Sequence, residues 1–291
     1  MAKLSSIPEL EPSGTHLIYL ALSFFLILYA LFSEFIRNRI HLSEPPLATL
    51  TGIALGPLAT DILGSAEWAF QDNITQEMAR VVTCVQVFAV GLDIPSGYVK
   101  RHWRGIALLL GPNMIFGWCV SAAIFKLIIG FSWSTAFIIA ATLTPTDPVL
   151  SASVLGEAKF STRVPKRIRH ILAAESGCND GTAFPFLYAA LFVVTESSAA
   201  GWSKNFFLEV VLWQCLFGIL VGAAIGYVAN KALRFSEARD YTQESTIFVF
   251  YFLLAIFSVG VGSTLGLDDF LVAFSAGTAF AWDGWFNEKT H

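Results

Sequence analysis

Charged residues are scarce in this 291-residue sequence, at 14% of the total, whereas about a quarter is usual for a soluble globular chain. The 18 lysines and arginines occur in brief clusters beside apolar runs, so the sequence lacks the continuous basic surface that nucleic-acid binding requires. The four cysteines each fall in a different apolar run, which leaves no disulfide framework or Cys/His metal cluster to infer. We therefore expect no nucleic-acid partner and no bound cofactor.

Hydrophobic residues, in contrast, make up 55% of the sequence and gather in long runs. A membrane span needs about 20 residues at 1.5 Å rise each. On that measure we predict an all-α, polytopic membrane helix bundle of about nine spans. No separate soluble domain fits, so residues 1–291 are expected to form one transmembrane domain in the lipid bilayer. The predicted spans are 15–36, 46–63, 78–99, 105–130, 133–155, 169–195, 206–229, 246–262 and 267–282.

Basic side chains cluster in alternate connections between these spans. The clusters are Arg37 with Arg39; Lys100 with Arg101 and Arg104; the segment 159–169; and Lys231 with Arg234 and Arg239. The intervening connections are acidic or nearly neutral. Because cytoplasmic loops carry an excess of lysine and arginine, this asymmetry predicts that the N-terminus lies outside.

The fifth predicted span contains a Thr-Pro-Thr-Asp-Pro run at 144–148. Pro145 and Pro148 each remove a backbone donor and disfavour helical geometry at the preceding residue, so we predict a broken helix. Bare carbonyls cannot face lipid, and those freed around 141–144 should therefore face a cavity. The alternative is a proline kink whose acidic residue is satisfied by a neighbouring helix.

Two side chains at this break carry oxygen atoms that suit a small alkali cation. Thr146 offers a hydroxyl and Asp147 a carboxylate, and both would add to the freed carbonyls. Ionisable groups within a span are unfavourable by about 2.5 to 3.5 kcal/mol each on insertion scales, so Asp147 is a first functional candidate.

The sixth predicted span carries Glu-Ser-Gly-Cys-Asn-Asp-Gly at 175–181. Ser176 and Asp180 are four residues apart and share a helix face, as do Glu175 and Asn179. Glu175 and Asp180 diverge by about 140° around the helix. We therefore predict that Asp180, with Ser176 beneath it, points into a cavity, whereas Glu175 pairs with a cation from another helix.

A carboxylate in a poorly hydrated cavity can hold either a proton or a cation. If Asp180, beside Asp147, holds one or the other while the site opens to alternate sides, the outcome is exchange of the cation, Na⁺ in the first instance, for a proton. The alternative is a structural polar network between helices.

The proline break at 144–148 followed by the 175–181 run resembles the monovalent cation:proton antiporter family. The order, the spacing and the neighbouring segments 45–57 and 87–95 are similar to the fungal plasma-membrane sodium(potassium)/proton antiporters over essentially the whole sequence. The resemblance implies an antiporter-type inverted-repeat fold with a broken fifth helix. It implies an ion-binding and proton-accepting role for Asp180, cation ligation by Asp147, Thr146 and Ser176, and a structural role for Asn179 and Glu175 in holding the broken helix.

The sequence departs from that family in length. Family members have about thirteen spans, and this sequence stops near the ninth. The resemblance places the basic partner of Glu175 on a later span, and the last two apolar runs contain no lysine or arginine at depth. An unpaired buried carboxylate would take a proton or destabilise the site. We therefore expect a truncated product or incomplete gene model that does not transport alone. A homodimer and a plasma-membrane location follow only from the family.

Two functions other than transport are alternatives for a membrane protein with these acidic residues. An intramembrane aspartyl protease would also use paired membrane aspartates, but its Tyr-Asp and Gly-x-Gly-Asp motifs are missing from these spans. We therefore expect no enzymatic activity. A non-transporting regulatory or assembly fragment, paired with a full-length antiporter, is the second alternative.

Four further polar residues in the spans are candidates for a pathway. Asp268 and Asp269 open the ninth span, where they either attract cations to a pathway mouth or cap a helix N-terminus. Gln86 and Asp93 in the third span could line a pathway. Asp93 lies shortly before Pro95, which favours a cap or bend at that helix end.

Overall fold

A computed structural model describes residues 14–36, 39, 44–56, 59–60, 71–146, 164–195, 199–242 and 244–286. Within these residues the chain is almost entirely helical, and no strand is formed. The chain divides into two units, one of residues 1–78 with 153–163 and the other of residues 79–152 with 164–291.

The first unit contains two helices and the start of a third. Helix α1 (Gly14–Phe35) is apolar over 22 residues and matches the first predicted span. Helix α2 (Glu44–Leu55) has only 12 residues, so it is shorter than the predicted span 46–63. Its two prolines lie in the first turn, where a missing N–H removes no intrahelical hydrogen bond.

The second unit begins within α3 (Gln71–Asp93), which ends six residues before the end of the predicted span 78–99. The helix stops shortly before Pro95, near the cap or bend expected at Asp93. Helices α4 (Tyr98–Leu108) and α5 (Met114–Ile124) continue each other through a π-helical turn, Leu109–Asn113. Pro112 lies in that turn. A widened turn suits proline because its ring clashes with the carbonyl four residues earlier in a regular α-helix. A second π-helical turn, Phe125–Ile129, completes this long helix.

The remaining helices of this unit follow in chain order. They are α6 (Trp133–Leu143), α7 (Lys166–Thr195), α8 (Ala199–Asn205), a π-helical run (Phe206–Phe217), α9 (Gly218–Glu237), α10 (Glu244–Leu265) and α11 (Asp269–Phe280). Each of the nine predicted spans therefore contains helix, although the helices of the third, fourth and seventh spans begin earlier than expected.

Two of the helices in the described residues are long and apolar enough to cross a membrane on length and composition alone. They are Tyr98–Ile129, with 32 residues, and Gly201–Glu237, with 37 residues. Large apolar side chains are exposed along both, among them Leu127 at 79% and Leu220 at 65%. Such a surface suits contact with lipid, because an apolar side chain facing lipid needs no other partner.

Helix α11 lies at the centre of the second unit, with eight of its residues buried. Its most extensive contacts are with α9. Gly222 of α9 lies against the Val272 carbonyl and the Ser275 hydroxyl, so a Cβ atom there would overlap both. Small residues at helix interfaces let the backbones approach closely, which drives helix association where lipid replaces water. The close α9–α11 contact fixes the helix that borders the site.

Candidate functional site

Helix α6 stops halfway through the expected span. It begins at the Ser132 cap, whose hydroxyl accepts a hydrogen bond from the Thr135 N–H at 3.2 Å, and ends at Leu143. Eleven residues make a helix of about 16 Å, roughly half of a 30 Å hydrocarbon core. The break therefore begins where the Thr-Pro-Thr-Asp-Pro run begins. Asp147 and Pro148 lie outside the described residues, so their predicted roles stay predictions.

The chain after the break is attached to α7 through the side chain of Thr146. The Thr146 hydroxyl donates to Glu175 Oε2 at 3.2 Å and accepts from Asn179 Nδ2 at 2.8 Å. The Ser176 hydroxyl lies 3.2 Å from the same oxygen and donates to the Thr146 carbonyl at 3.4 Å. The Thr146 hydroxyl thus contacts Glu175 and Asn179 on one face of α7 and Ser176 on another.

Glu175 and Asn179 interact along one face of α7, as their four-residue spacing predicts. Asn179 Nδ2 donates to Glu175 Oε1 at 2.8 Å. Glu175 is 8% exposed and Asn179 2% exposed. A carboxylate so far from solvent needs donors, and here it has two, from Thr146 and Asn179. Among the described residues, no lysine or arginine pairs with Glu175, so its predicted cationic partner is not found in this part of the chain.

The amide orientation of Asn179 follows from these contacts. Both of its described hydrogen bonds are donated by Nδ2, one to a carboxylate oxygen and one to a hydroxyl. Reversing the amide would place Oδ1 against the carboxylate, where two acceptors repel each other. In the present orientation Oδ1 is buried and has no hydrogen-bond partner among the described residues.

Asp180 lies on the other side of α7 and borders a cavity of about 360 Å³. The cavity is formed by parts of α3, α7 and α11 together with the end of α6 and the residues that follow it. Its lining residues are Thr83, Gln86, Ala141, Thr142, Pro145, Asp180, Ala183, Phe184, Leu187 and Phe270. Phe184 and Phe270 stack with ring centroids 5.7 Å apart and give it an apolar side. The carboxylate therefore borders the space that the helix break opens.

Asp268 and Asp269 have distinct contacts at the start of α11. Asp268 is 4% exposed, and its Oδ1 accepts from the N–H groups of Phe270 and Leu271 at 3.0 and 3.1 Å. This is the capping role that the sequence analysis weighed against a pathway mouth. Asp269 pairs with Arg80 Nε at 3.5 Å and accepts from the Ser263 hydroxyl at 3.0 Å, so it joins α3, α10 and α11.

Most side chains of this site were predictable from the sequence, whereas the contribution of α3 was not. Thr146, Glu175, Ser176 and Asn179 come together in one network, with Pro145 and Asp180 in the adjoining cavity wall. Thr83 was missed and Gln86 was only a minor candidate. Both side chains are uncharged, so the unfavourable energy of a charge within a span does not point to them. A search for amides and hydroxyls three residues apart in a span would have found them.

Residues 21–291 match the family described as sodium/hydrogen exchanger, transmembrane. A probable Na⁺/H⁺ antiporter of Schizosaccharomyces pombe is 43% identical over 283 residues, which cover 97% of this chain and 37% of that protein. Na⁺/H⁺ antiporter 2 of Zygosaccharomyces rouxii is 38% identical over 285 residues, covering 97% and 35%. A Na⁺/H⁺ antiporter of Saccharomyces cerevisiae is 38% identical over 284 residues, covering 97% and 29%. The chain thus spans about a third of the length of these three relatives.

Proposed function

Because the chain belongs to the transmembrane sodium/hydrogen exchanger family, we propose that this polytopic helical membrane protein carries the site at which a sodium/proton antiporter exchanges sodium for protons. Transport by these 291 residues alone is not expected, in keeping with the sequence analysis. Potassium and lithium are further candidate cations. The named relatives are Na⁺/H⁺ antiporters, and the chain covers only part of each, so the exchange of ions at this chain's site is inferred from the site itself.

The observation that carries the proposal is the position of Asp180 beside an interrupted helix. Helix α6 ends at Leu143, and the chain that follows supplies Pro145 to the cavity that Asp180 borders. Uncoiled backbone within a span is tolerated where it lines a cavity, and its carbonyls are ligands for alkali cations. A carboxylate next to such ligands can bind one cation or one proton.

Exchange follows from competition for the single negative charge of Asp180. When the carboxylate is protonated it has no charge to attract a cation, and when a cation is bound the proton is displaced. The site changes least readily from one side of the membrane to the other when its carboxylate holds neither a cation nor a proton, since an uncompensated charge is unfavourable in a span. The Thr146–Glu175–Asn179 network holds the interrupted segment in place while the site opens to alternate sides.

Proton release on cation binding tests this proposal. The purified chain in weakly buffered detergent solution would receive NaCl, with choline chloride at equal ionic strength as the control, and a pH-sensitive dye would report the protons. We expect sodium to release protons from the wild type and from Asp283→Asn, which alters an exposed carboxylate paired with Arg234. Asp180→Asn should release none. Wild-type protein that releases no more protons with sodium than with choline would overturn the proposal.

For the protein in the cell, the proposal includes the plasma membrane as its location and an N-terminus on the outer side. The orientation is supported by the basic clusters in alternate connections, such as Lys100 with Arg101 and Arg104. These clusters would lie in the cytoplasm.

A further inference from the structure

Gln86 is a polar side chain in the middle of α3 that borders the cavity beside Asp180. It is half-buried, and across the described ranges its amide makes no hydrogen bond to another residue. Its neighbours Val87 and Phe88 are fully buried in the protein core, at 0% and 1% exposure. An amide in a membrane span is unfavourable unless water or a ligand satisfies it, and the cavity is where such a partner can reach Gln86.

Thr83 adds a hydroxyl to the part of the cavity lining that Gln86 forms. Residues three apart lie on the same face of a helix, and Thr83 and Gln86 both line the cavity. Helix α3 therefore contributes a hydroxyl and an amide to one wall, whereas α7 contributes the Asp180 carboxylate to another. The charged ligand and the neutral ligands come from separate helices.

The size of the cavity fits a cation that keeps part of its water. At roughly 30 Å³ per water molecule, a space of about 360 Å³ holds about a dozen waters. An alkali cation attracted by Asp180 can therefore enter partly hydrated. Amide, hydroxyl and carbonyl oxygens are the uncharged groups that replace water around hard cations.

We propose that the Gln86 amide oxygen, supported by the Thr83 hydroxyl, ligates the cation at Asp180 and sets the discrimination between sodium and potassium. Neutral oxygens discriminate between alkali cations through their number, their field strength and the space they enclose. Gln86 and Thr83 on α3 would set the number of neutral oxygens, their field strength and the space around the cation, because they are fixed on a different helix from the Asp180 carboxylate. This inference rests on the proposed antiport function and names the residue that gives the site its cation preference.

The test compares Gln86→Leu with Gln76→Leu in the purified chain. Gln76 lies on the same helix but is exposed and does not line the cavity, so it is a matched control. Binding of ²²Na⁺ would be measured directly and in competition with K⁺ and Li⁺, and proton release at saturating sodium would be recorded. Thermal unfolding would show that each variant is folded.

We expect Gln86→Leu to weaken sodium binding about five- to tenfold and to change the Na⁺:K⁺ affinity ratio, with proton release at saturating sodium retained. Gln86→Glu keeps a ligand oxygen and adds charge, so it should bind sodium more tightly than wild type. If Gln86→Leu does not fold, Gln86→Glu and Gln86→Asn decide, because each should shift the ratio.

Two results separate this inference from the function on which it rests. Variants of Gln86 with the wild-type affinity and the wild-type Na⁺:K⁺ ratio would overturn the inference alone, and Asp180 would still exchange. Wild-type protein without sodium-dependent proton release would overturn the proposed function, and the inference with it.

Discussion

At the scale of single residues, Thr146 and Asn179 connect the chain that follows α6 to α7. Thr146 donates to Glu175 and accepts from Asn179, and Asn179 in turn donates to Glu175. Each of these three side chains is hydrogen-bonded to the other two, whereas Asn179 Oδ1 has no partner among the described residues. Such networks rigidify a core when every member is satisfied and destabilise it when one is removed.

Asn179→Ala should therefore destabilise the folded protein. The substitution removes two donated hydrogen bonds and leaves the buried Glu175 carboxylate with one donor fewer, so the expected loss is about 1 to 3 kcal/mol. Thermal unfolding in detergent, followed by tryptophan fluorescence, measures it as a lower Tm.

Thr195→Ala is the control for this experiment. Its hydroxyl is exposed, and among the described residues it donates to the Leu191 carbonyl within its own helix, so the Tm should stay near that of the wild type. An Asn179→Ala protein as stable as Thr195→Ala would show that the network does not hold the break.

At the scale of helices, the contact between α9 and α11 positions α11, which carries the cavity residue Phe270. Gly218, Gly222 and Gly226 are spaced four residues apart on α9, and all three are buried. The backbone of α11 lies against this strip, which positions Phe270 at the cavity. We expect the glycines to matter for packing rather than for backbone conformation, because they lie within a regular helix.

Gly222→Ala tests this contact. The added methyl group would overlap the Val272 carbonyl and the Ser275 hydroxyl, so the helices must separate, at a cost of about 1 to 3 kcal/mol. Gly260→Ala is the matched control, since nothing lies within 4 Å of a Cβ atom there. The control should be neutral or stabilising by about 0.5 to 1 kcal/mol. Equal Tm values for the two variants would contradict the packing account.

Helix ends set by proline were predictable from the sequence, whereas helix-to-helix contacts were not. The start of the break after Leu143 and the end of α3 at Asp93 both follow from local backbone chemistry. The meeting of Thr146 with Glu175 joins residues 29 apart, and no local rule fixes such a contact. For Asp268 the sequence leaves a capping and a pathway role open. Its hydrogen bonds from the N–H groups of Phe270 and Leu271 confirm the cap, and the pathway role stays a prediction.

At the scale of the whole molecule, the distribution of charge predicts orientation in the membrane. Lys100 lies in the first turn of the long helix from Tyr98 to Ile129, and Phe131 lies two residues beyond its other end. A helix of 32 residues is about 48 Å long, which exceeds a hydrocarbon core of about 30 Å. We therefore expect its two ends to face opposite sides of the bilayer.

Cysteine labelling tests this orientation. In a Cys119→Ser background, which removes an exposed thiol, Phe131→Cys should react with a membrane-impermeant maleimide in intact cells. Lys100→Cys should react only after the cells are permeabilised, because basic clusters stay in the cytoplasm. The reverse pattern would place the N-terminus inside.

The central claim is that one carboxylate, Asp180, holds either a cation or a proton. Equilibrium binding of ²²Na⁺ to the purified chain at a series of pH values tests it most directly. Where the site is mostly protonated, the Kd for sodium should rise about tenfold for each unit that the pH falls, since one proton competes with one cation. Asp180→Asn should remove the pH-dependent binding. Sodium binding that stays unchanged across the pH series, or that survives in Asp180→Asn with the same pH dependence, would contradict the account.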